Sequence, residues 1–140
     1  MYKVRKSFAC FALAVSVLMV SACPRHQVLV LLRDAAAANQ SFQKGIKIAY
    51  DAGHIAPDRY ISLQEGIKKV AQLDDAAISF AEAGADKSAL GQVDLAIAQI
   101  DDLINNGLLG VKDNDSRLAL HIILTGFRTT LVTAKAMLTK

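Results

Sequence analysis

Two patterns of apolar residues divide this chain. From Phe8 to Val20 the sequence FACFALAVSVLMV runs without a charge. Beyond it, apolar residues mostly recur every three or four positions. Leu90, Val93, Ile97, Ile100 and Ile104 are spaced 3, 4, 3, 4, and Leu120, Leu124, Phe127, Leu131, Ala134 and Leu138 are spaced 4, 3, 4, 3, 4. A period near 3.5 predicts helices that pack along a seam. Between about Asp58 and Ala83, one helical side carries Leu63, Ile67, Val70, Leu73, Ala77 and Phe80. An earlier segment, ending near Ala52, carries Leu31, Leu32, Ala35, Phe42, Ile46 and Ala49. The run Val28 to Leu32 would also suit a short strand. No other segment offers it a partner strand, so helix is the better reading.

The breaks agree with four helices. Gly53 followed by Pro57 gives a stop and then a start, because glycine favours the position after a helix and proline its first turn. Gly84 with Asp86 or Ser88 separates the second helix from the third. Asn105-Asn106-Gly107 closes the third, and Asp113, Asp115 or Ser116 can cap the fourth. Short connectors make neighbours antiparallel. The prediction is an all-α, antiparallel up-down-up-down four-helix bundle over residues 28–140, with a core including Leu63, Ile67, Val70, Val93, Ile97, Ile100, Leu124, Phe127 and Leu131. Gly45 and Gly66 sit inside predicted helices, where glycine costs about 1 kcal/mol relative to alanine. Close helix–helix approach is the expected reason. Gln43-Lys44-Gly45-Ile46-Lys47 and Gln64-Glu65-Gly66-Ile67-Lys68 are similar and lie twenty-one residues apart. Three heptads of common patterning can produce that echo; an inherited repeat is the alternative.

The apolar run near the start is of another kind. It follows Lys3, Arg5 and Lys6 and leads into Val20-Ser21-Ala22-Cys23. Thirteen residues are too few for a membrane-spanning helix, which needs about 20. A basic start, a short apolar core and a small-residue exit are the pattern of a secretory signal. Val20-Ser21-Ala22-Cys23 resembles the lipobox of bacterial lipoproteins: an aliphatic residue, two small residues, then cysteine. The resemblance covers the leader alone. It implies cleavage before Cys23, a diacylglyceryl group on its thiol and an acylated new amine. Residues 1–22 would be the signal peptide and 23–27 the lipidated cysteine with a short tether. The mature protein would face the periplasm or the exterior. By the same resemblance, Pro24 in place of an aspartate after the cysteine favours the outer membrane in a Gram-negative host. The competing readings are cleavage after Ala22, leaving a free thiol, and an uncleaved anchor.

Removing this leader changes the charge balance. The whole chain carries +3, with 16 basic and 13 acidic residues, and all three basic residues of the leader would be lost. The remainder is neutral, and its basic residues are scattered, with Lys68-Lys69 the only adjacent pair. Nucleic-acid binding calls for a clustered basic face instead. The other cysteine, Cys10, lies within the leader. The mature domain would therefore have no thiol besides Cys23 for a disulfide, a metal or a nucleophile.

Candidate chemistry is sparse. Asp74-Asp75, Asp101-Asp102 and Asp94 could approach a cation if the second and third helices pack antiparallel. Adjacent aspartates do not share a helix face, however, and the Glu-x-x-His pattern of di-metal bundles is absent. A solvated face is the expected role. His26, His54 and His121 have no i, i+4 partner. The chain has no Gly-x-Ser-x-Gly elbow and no glycine-rich phosphate loop. Leu108-Leu109-Gly110-Val111 is an apolar connector where connectors are normally polar. It can close the core as a lid, or Leu108, Leu109 and Val111 can dock a partner. These features predict a lipid-anchored cell-envelope protein acting by binding or assembly, without catalysis, cofactor, metal or nucleic acid, and with an envelope protein as its candidate partner. The alternative is a soluble periplasmic bundle binding a small ligand or a metal.

Overall fold

The computed structural model describes residues 24–140. Four helices form: α1 (Pro24–Asp51), α2 (Pro57–Glu82), α3 (Asp86–Asn105) and α4 (Asn114–Leu138). A 3₁₀ turn, Gly107–Gly110, joins α3 to α4. Each helix packs on its two neighbours, α1 on α2 and α4, and α3 on α2 and α4. The described residues thus make the antiparallel four-helix bundle predicted above. They contain no strand, only an isolated bridge between Ile55 and Val111.

Local chemistry sets the helix ends. Gly53 and Gly84 adopt φ of 76° and 77°, a left-handed conformation that glycine takes without strain. After each glycine the next amide reaches back to a carbonyl of the last turn. His54 N donates to Ala49 O at 2.9 Å and Ala85 N to Phe80 O at 2.8 Å, satisfying carbonyls the helix leaves open. Pro57 opens α2, where its missing N–H costs nothing. Asp113 caps α4 by accepting the Ser116 amide at 2.8 Å. Pro24–Gln27, read above as tether, are the first turn of α1.

The core follows the expected seams with three shifts. On α4 the predicted line is buried, except that Leu138 is half-buried. On α3 the line is Ala89, Val93, Ala96, Ile100 and Leu103, so Leu90, Ile97 and Ile104 flank it half-buried. On α2 the buried line is Leu63, Ile67, Val70, Asp74, Ala77 and Ala81. Phe80, placed above on the same helical side, is 38% exposed. On α1, Val28 and Asn39 join the buried line, and Leu31 is half-buried. Asn39 is satisfied locally: its Nδ2 donates to Ile67 O at 3.0 Å, and its Oδ1 accepts Gln43 Nε2 at 2.7 Å. Gly45 and Gly66 do mark close approach. A Cβ on Gly45 would lie 2.8 Å from Leu120 Cδ2, and one on Gly66 2.7 Å from Leu103 Cδ2.

This topology gathers two ends. The start of α1, the α2–α3 connector and the end of α4 share one end, where the Arg25 guanidinium lies against Gly84. The α1–α2 and α3–α4 connectors share the other.

Candidate functional site

The apolar connector lies at that second end. After α3 the chain tightens into the 3₁₀ turn and then runs extended through Val111, which bridges Ile55 of the α1–α2 connector. Lys112 N donates to His54 O at 2.8 Å, fixing the two connectors together. Leu108 is 3% exposed and Val111 1% exposed. Both close the core, as the lid reading expects. Of the three residues considered for docking, this leaves Leu109 outside, at 71% exposure. Burial removes Leu108 and Val111 from any open docking patch, because a lid over a packed core gains more from covering apolar neighbours than from facing water.

Leu109 does not stand alone. It lines a shallow groove with Ile104, Leu118 and His121, between the end of α3 and the start of α4. Leu118 is 59% exposed, and Ile122, one turn further along α4, is 63% exposed. The sequence reading missed these two, although Leu118 and Ile122 interrupt a polar face at i, i+4 spacing. That spacing was the available signal.

The same end brings together a histidine, a serine and an aspartate. His54 Nδ1 lies 3.0 Å from Ser116 Oγ and 3.6 Å from Asp113 Oδ2. A serine–histidine–aspartate relay needs the two ring nitrogens to face different partners. Here one nitrogen faces both, so the trio lacks relay geometry. Its role is to hold the start of α4. The Ser116 amide and then the Ser116 hydroxyl keep the Asp113 carboxyl below its ordinary range, with a smaller contribution from His54.

The aspartates separate rather than converge. Asp101 accepts Arg128 Nε at 2.6 Å, Asp94 pairs with Lys135 Nζ at 2.6 Å, and Asp102 accepts Asn106 Nδ2 at 2.7 Å. Asp75 faces solvent. Asp74 corrects the expectation of a solvated face. It is 1% exposed, and neither carboxylate oxygen has a hydrogen-bond partner. Burial first, then the Asp75 charge, pushes its pKa up to about 7. Among the described residues no three His, Cys, Asp or Glu side chains are grouped to hold a metal ion. His26 and His121 are exposed.

Comparison with protein-family models, with curated proteins and with solved structures returns no match to the chain. Cys23, the candidate lipidation site, lies outside the described residues. Among the described helices, none is long and apolar enough to cross a membrane.

Proposed function

We propose that this protein is a lipid-anchored cell-envelope module that acts by binding or assembly. The observation that carries the proposal is Val20-Ser21-Ala22-Cys23 at the end of a basic-then-apolar leader. Acylation of Cys23 with two or more chains gives stable membrane attachment, whereas a single chain binds only marginally.

The start of α1 at Pro24 supports the reading with a geometric consequence. No flexible tether intervenes, so the bundle rises directly from the lipid surface. Gly84 and Ala85 then lie at the membrane-near end. Leu109, Leu118 and Ile122 lie towards the far end, where an envelope partner can reach them. A bundle of 20 to 28-residue helices lifts that end roughly 30–40 Å from the membrane at 1.5 Å rise per residue.

Mass spectrometry of the mature N-terminus, on protein purified from its native membrane, tests the anchor. The expected species begins at Cys23 and carries acyl mass. Cys23→Ser should move the protein from the detergent phase to the aqueous phase. An intact Met1 start, or an unmodified Cys23, would refute the proposal.

A further inference from the structure

The outward face of α4 differs from that of the other helices. From Leu118 to Ala136 its exposed positions carry no Asp, Glu, Lys or Arg. The two basic residues in this stretch, Arg128 and Lys135, are half-buried on the α3 side and paired with Asp101 and Asp94. By contrast, the exposed positions of α1 include Arg33, Asp34, Lys44 and Lys47, and those of α2 include Asp58, Glu65, Lys68 and Asp75. A surface helix normally opposes its apolar stripe with a charged one. On α4 the second face carries exposed Leu118, Ile122 and Val132 instead.

This face has its own seam. Ala119, Ile122, Gly126, Thr129, Thr133 and Ala136 are spaced 3, 4, 3, 4, 3, the period of a helix that packs on another helix. The threonines suit burial. Thr129 Oγ1 donates to Thr125 O at 2.9 Å, Thr130 Oγ1 to Gly126 O at 3.1 Å, and Thr133 Oγ1 to Thr129 O at 2.9 Å. With these three donors satisfied inside the helix, covering them strands no hydroxyl proton, whereas the exposed Thr125 on the same face makes no such bond. Gly126 has no packing reason within the chain, since a Cβ there would meet nothing within 4 Å.

We infer that this face packs against α4 of a second copy of the chain, the two helices running parallel about a two-fold axis along the bundle. The parallel sense rests on the lipid-anchor reading, which places both α1 starts at one membrane. In a parallel two-fold pair each seam residue meets its own copy. Any charge on the seam would then face itself, and like charges opposed in an interface are unfavourable. A different partner would impose no such restriction, because its own charges could complement those of α4. An uncharged seam is what self-pairing in this sense requires.

The size of the face sets the strength of the pair. Leu118 to Ala136 spans about 27 Å, and a helix face is about 10 Å wide. That is roughly 300 Å² in projection per copy, and doubling it for surface relief stays below the roughly 800 Å² per partner of a stable interface. The pair is therefore weak in dilute solution and needs a high local concentration. Confinement of both copies to one membrane raises the effective concentration in this way.

Cysteine trapping tests the inference in the full chain, expressed in its native membrane. Ile122→Cys and, separately, Ala136→Cys should form disulfide-linked species of twice the chain mass under mild oxidation. Gln72→Cys, on the exposed side of α2, and the unsubstituted chain should remain monomeric. Adding Thr129→Lys to Ile122→Cys should reduce the dimer at least tenfold with the circular dichroism spectrum and melting temperature unchanged. Equal trapping at Gln72, trapping at none of the positions, or an adduct of another mass would overturn the second-copy assignment. Dimers formed only from mixed Leu118→Cys and Ala136→Cys chains, with neither linking to itself, would overturn the parallel sense. The mass of the mature N-terminus is read on the same samples. Trapping at Ile122 in a chain without lipid would uphold the pair and refute the anchor. A lipidated chain that does not trap would do the reverse.

Discussion

Asp74 makes the stability of this bundle depend on pH in an unusual direction. Its carboxyl is buried on α2 without a hydrogen-bond partner, and its pKa is pushed up to about 7 from 3.8. The unfolded chain releases that proton near 3.8, so between pH 4 and 7 the folded state holds more protons than the unfolded state. Stability from this group is fully present below pH 3.8 and is lost as pH rises through 7. A shift of about three units at about 1.4 kcal/mol each predicts a loss of about 4 kcal/mol. That is a large share of the roughly 5–15 kcal/mol that typically holds a domain together.

The perturbation is Asp74→Asn, which keeps the shape and removes the ionisation. The assay is urea unfolding followed by circular dichroism at 222 nm, at pH 4, 6 and 8. The stability of the Asp74→Asn variant relative to wild type should grow by about 4 kcal/mol from pH 4 to pH 8, most of it between pH 5 and 7. Other titrating groups are common to both chains and cancel in the difference. A difference that stays flat with pH would refute the reasoning, and would mean that the Asp74 carboxylate finds water or a cation when it ionises.

Other substitutions test the packing. Phe127→Ala, at a position with no exposed area, should cost about 3–5 kcal/mol in the same unfolding assay. Gly126→Ala should stabilise the isolated bundle by up to about 1 kcal/mol, since helix propensity improves and nothing is met. Gly66→Ala should fail to give that gain, because Leu103 has to move from 2.7 Å; thermal melts of the two variants side by side make the comparison. Leu109→Asp should change stability by less than about 0.5 kcal/mol, and if the far end captures an envelope partner, co-purification from membranes should be lost in this variant.

The four helices and three connectors were legible because the determinants are local. Seam spacing, Gly53, Gly84, Pro57 and Asp113 each act within a turn of their own position. The misassignments share one cause. On α2, hydrophobicity ranks Leu73 and Phe80 above Asp74 and Ala81, yet the unbroken 4, 3, 4, 3, 4 line runs through Leu63, Ile67, Val70, Asp74, Ala77 and Ala81. Reading it correctly means accepting a carboxyl in the core. Neighbouring helices decide this, and their approach is invisible along one strand of sequence. On α3 a one-residue shift in the opposite sense replaces Leu90 and Ile97 by Ala89 and Ala96, because a closely approached helix presents its small residues to the centre and its large ones to the grooves. The exposed Leu118 and Ile122 lay in plain view but were masked by the stronger seam beside them.

The small core residues are not spread evenly, and their distribution explains where Asp74 can be tolerated. Ala77, Ala81 and Ala89 flank the α2–α3 connector, and Ala35, Ala96 and Ala134 lie on the facing seams of that half, beside the larger Val28, Leu32, Val93 and Leu131. Phe42, Ile46, Leu63, Ile67, Ile100, Leu103, Leu108, Leu120 and Leu124 fill the rest of the bundle towards the other end. Six of the seven buried alanines, all but Ala49, thus lie in the half where α1 begins, so the core side chains there are smaller on average. Hydrophobic stabilisation follows buried apolar area at roughly 25 cal/mol per Å², so each alanine there contributes less than a leucine or isoleucine would, and the end near Pro24 is the weaker half even before Asp74 is counted. Ionisation of Asp74 above pH 7 acts on this weaker half. The large-residue half keeps its packing, and local opening starts from the end with least to lose. If Cys23 carries the proposed anchor, that end faces the membrane, and the far end with Leu109 and the first turns of α4 from Leu118 to Ile122 is the more firmly packed surface on which binding or assembly would depend.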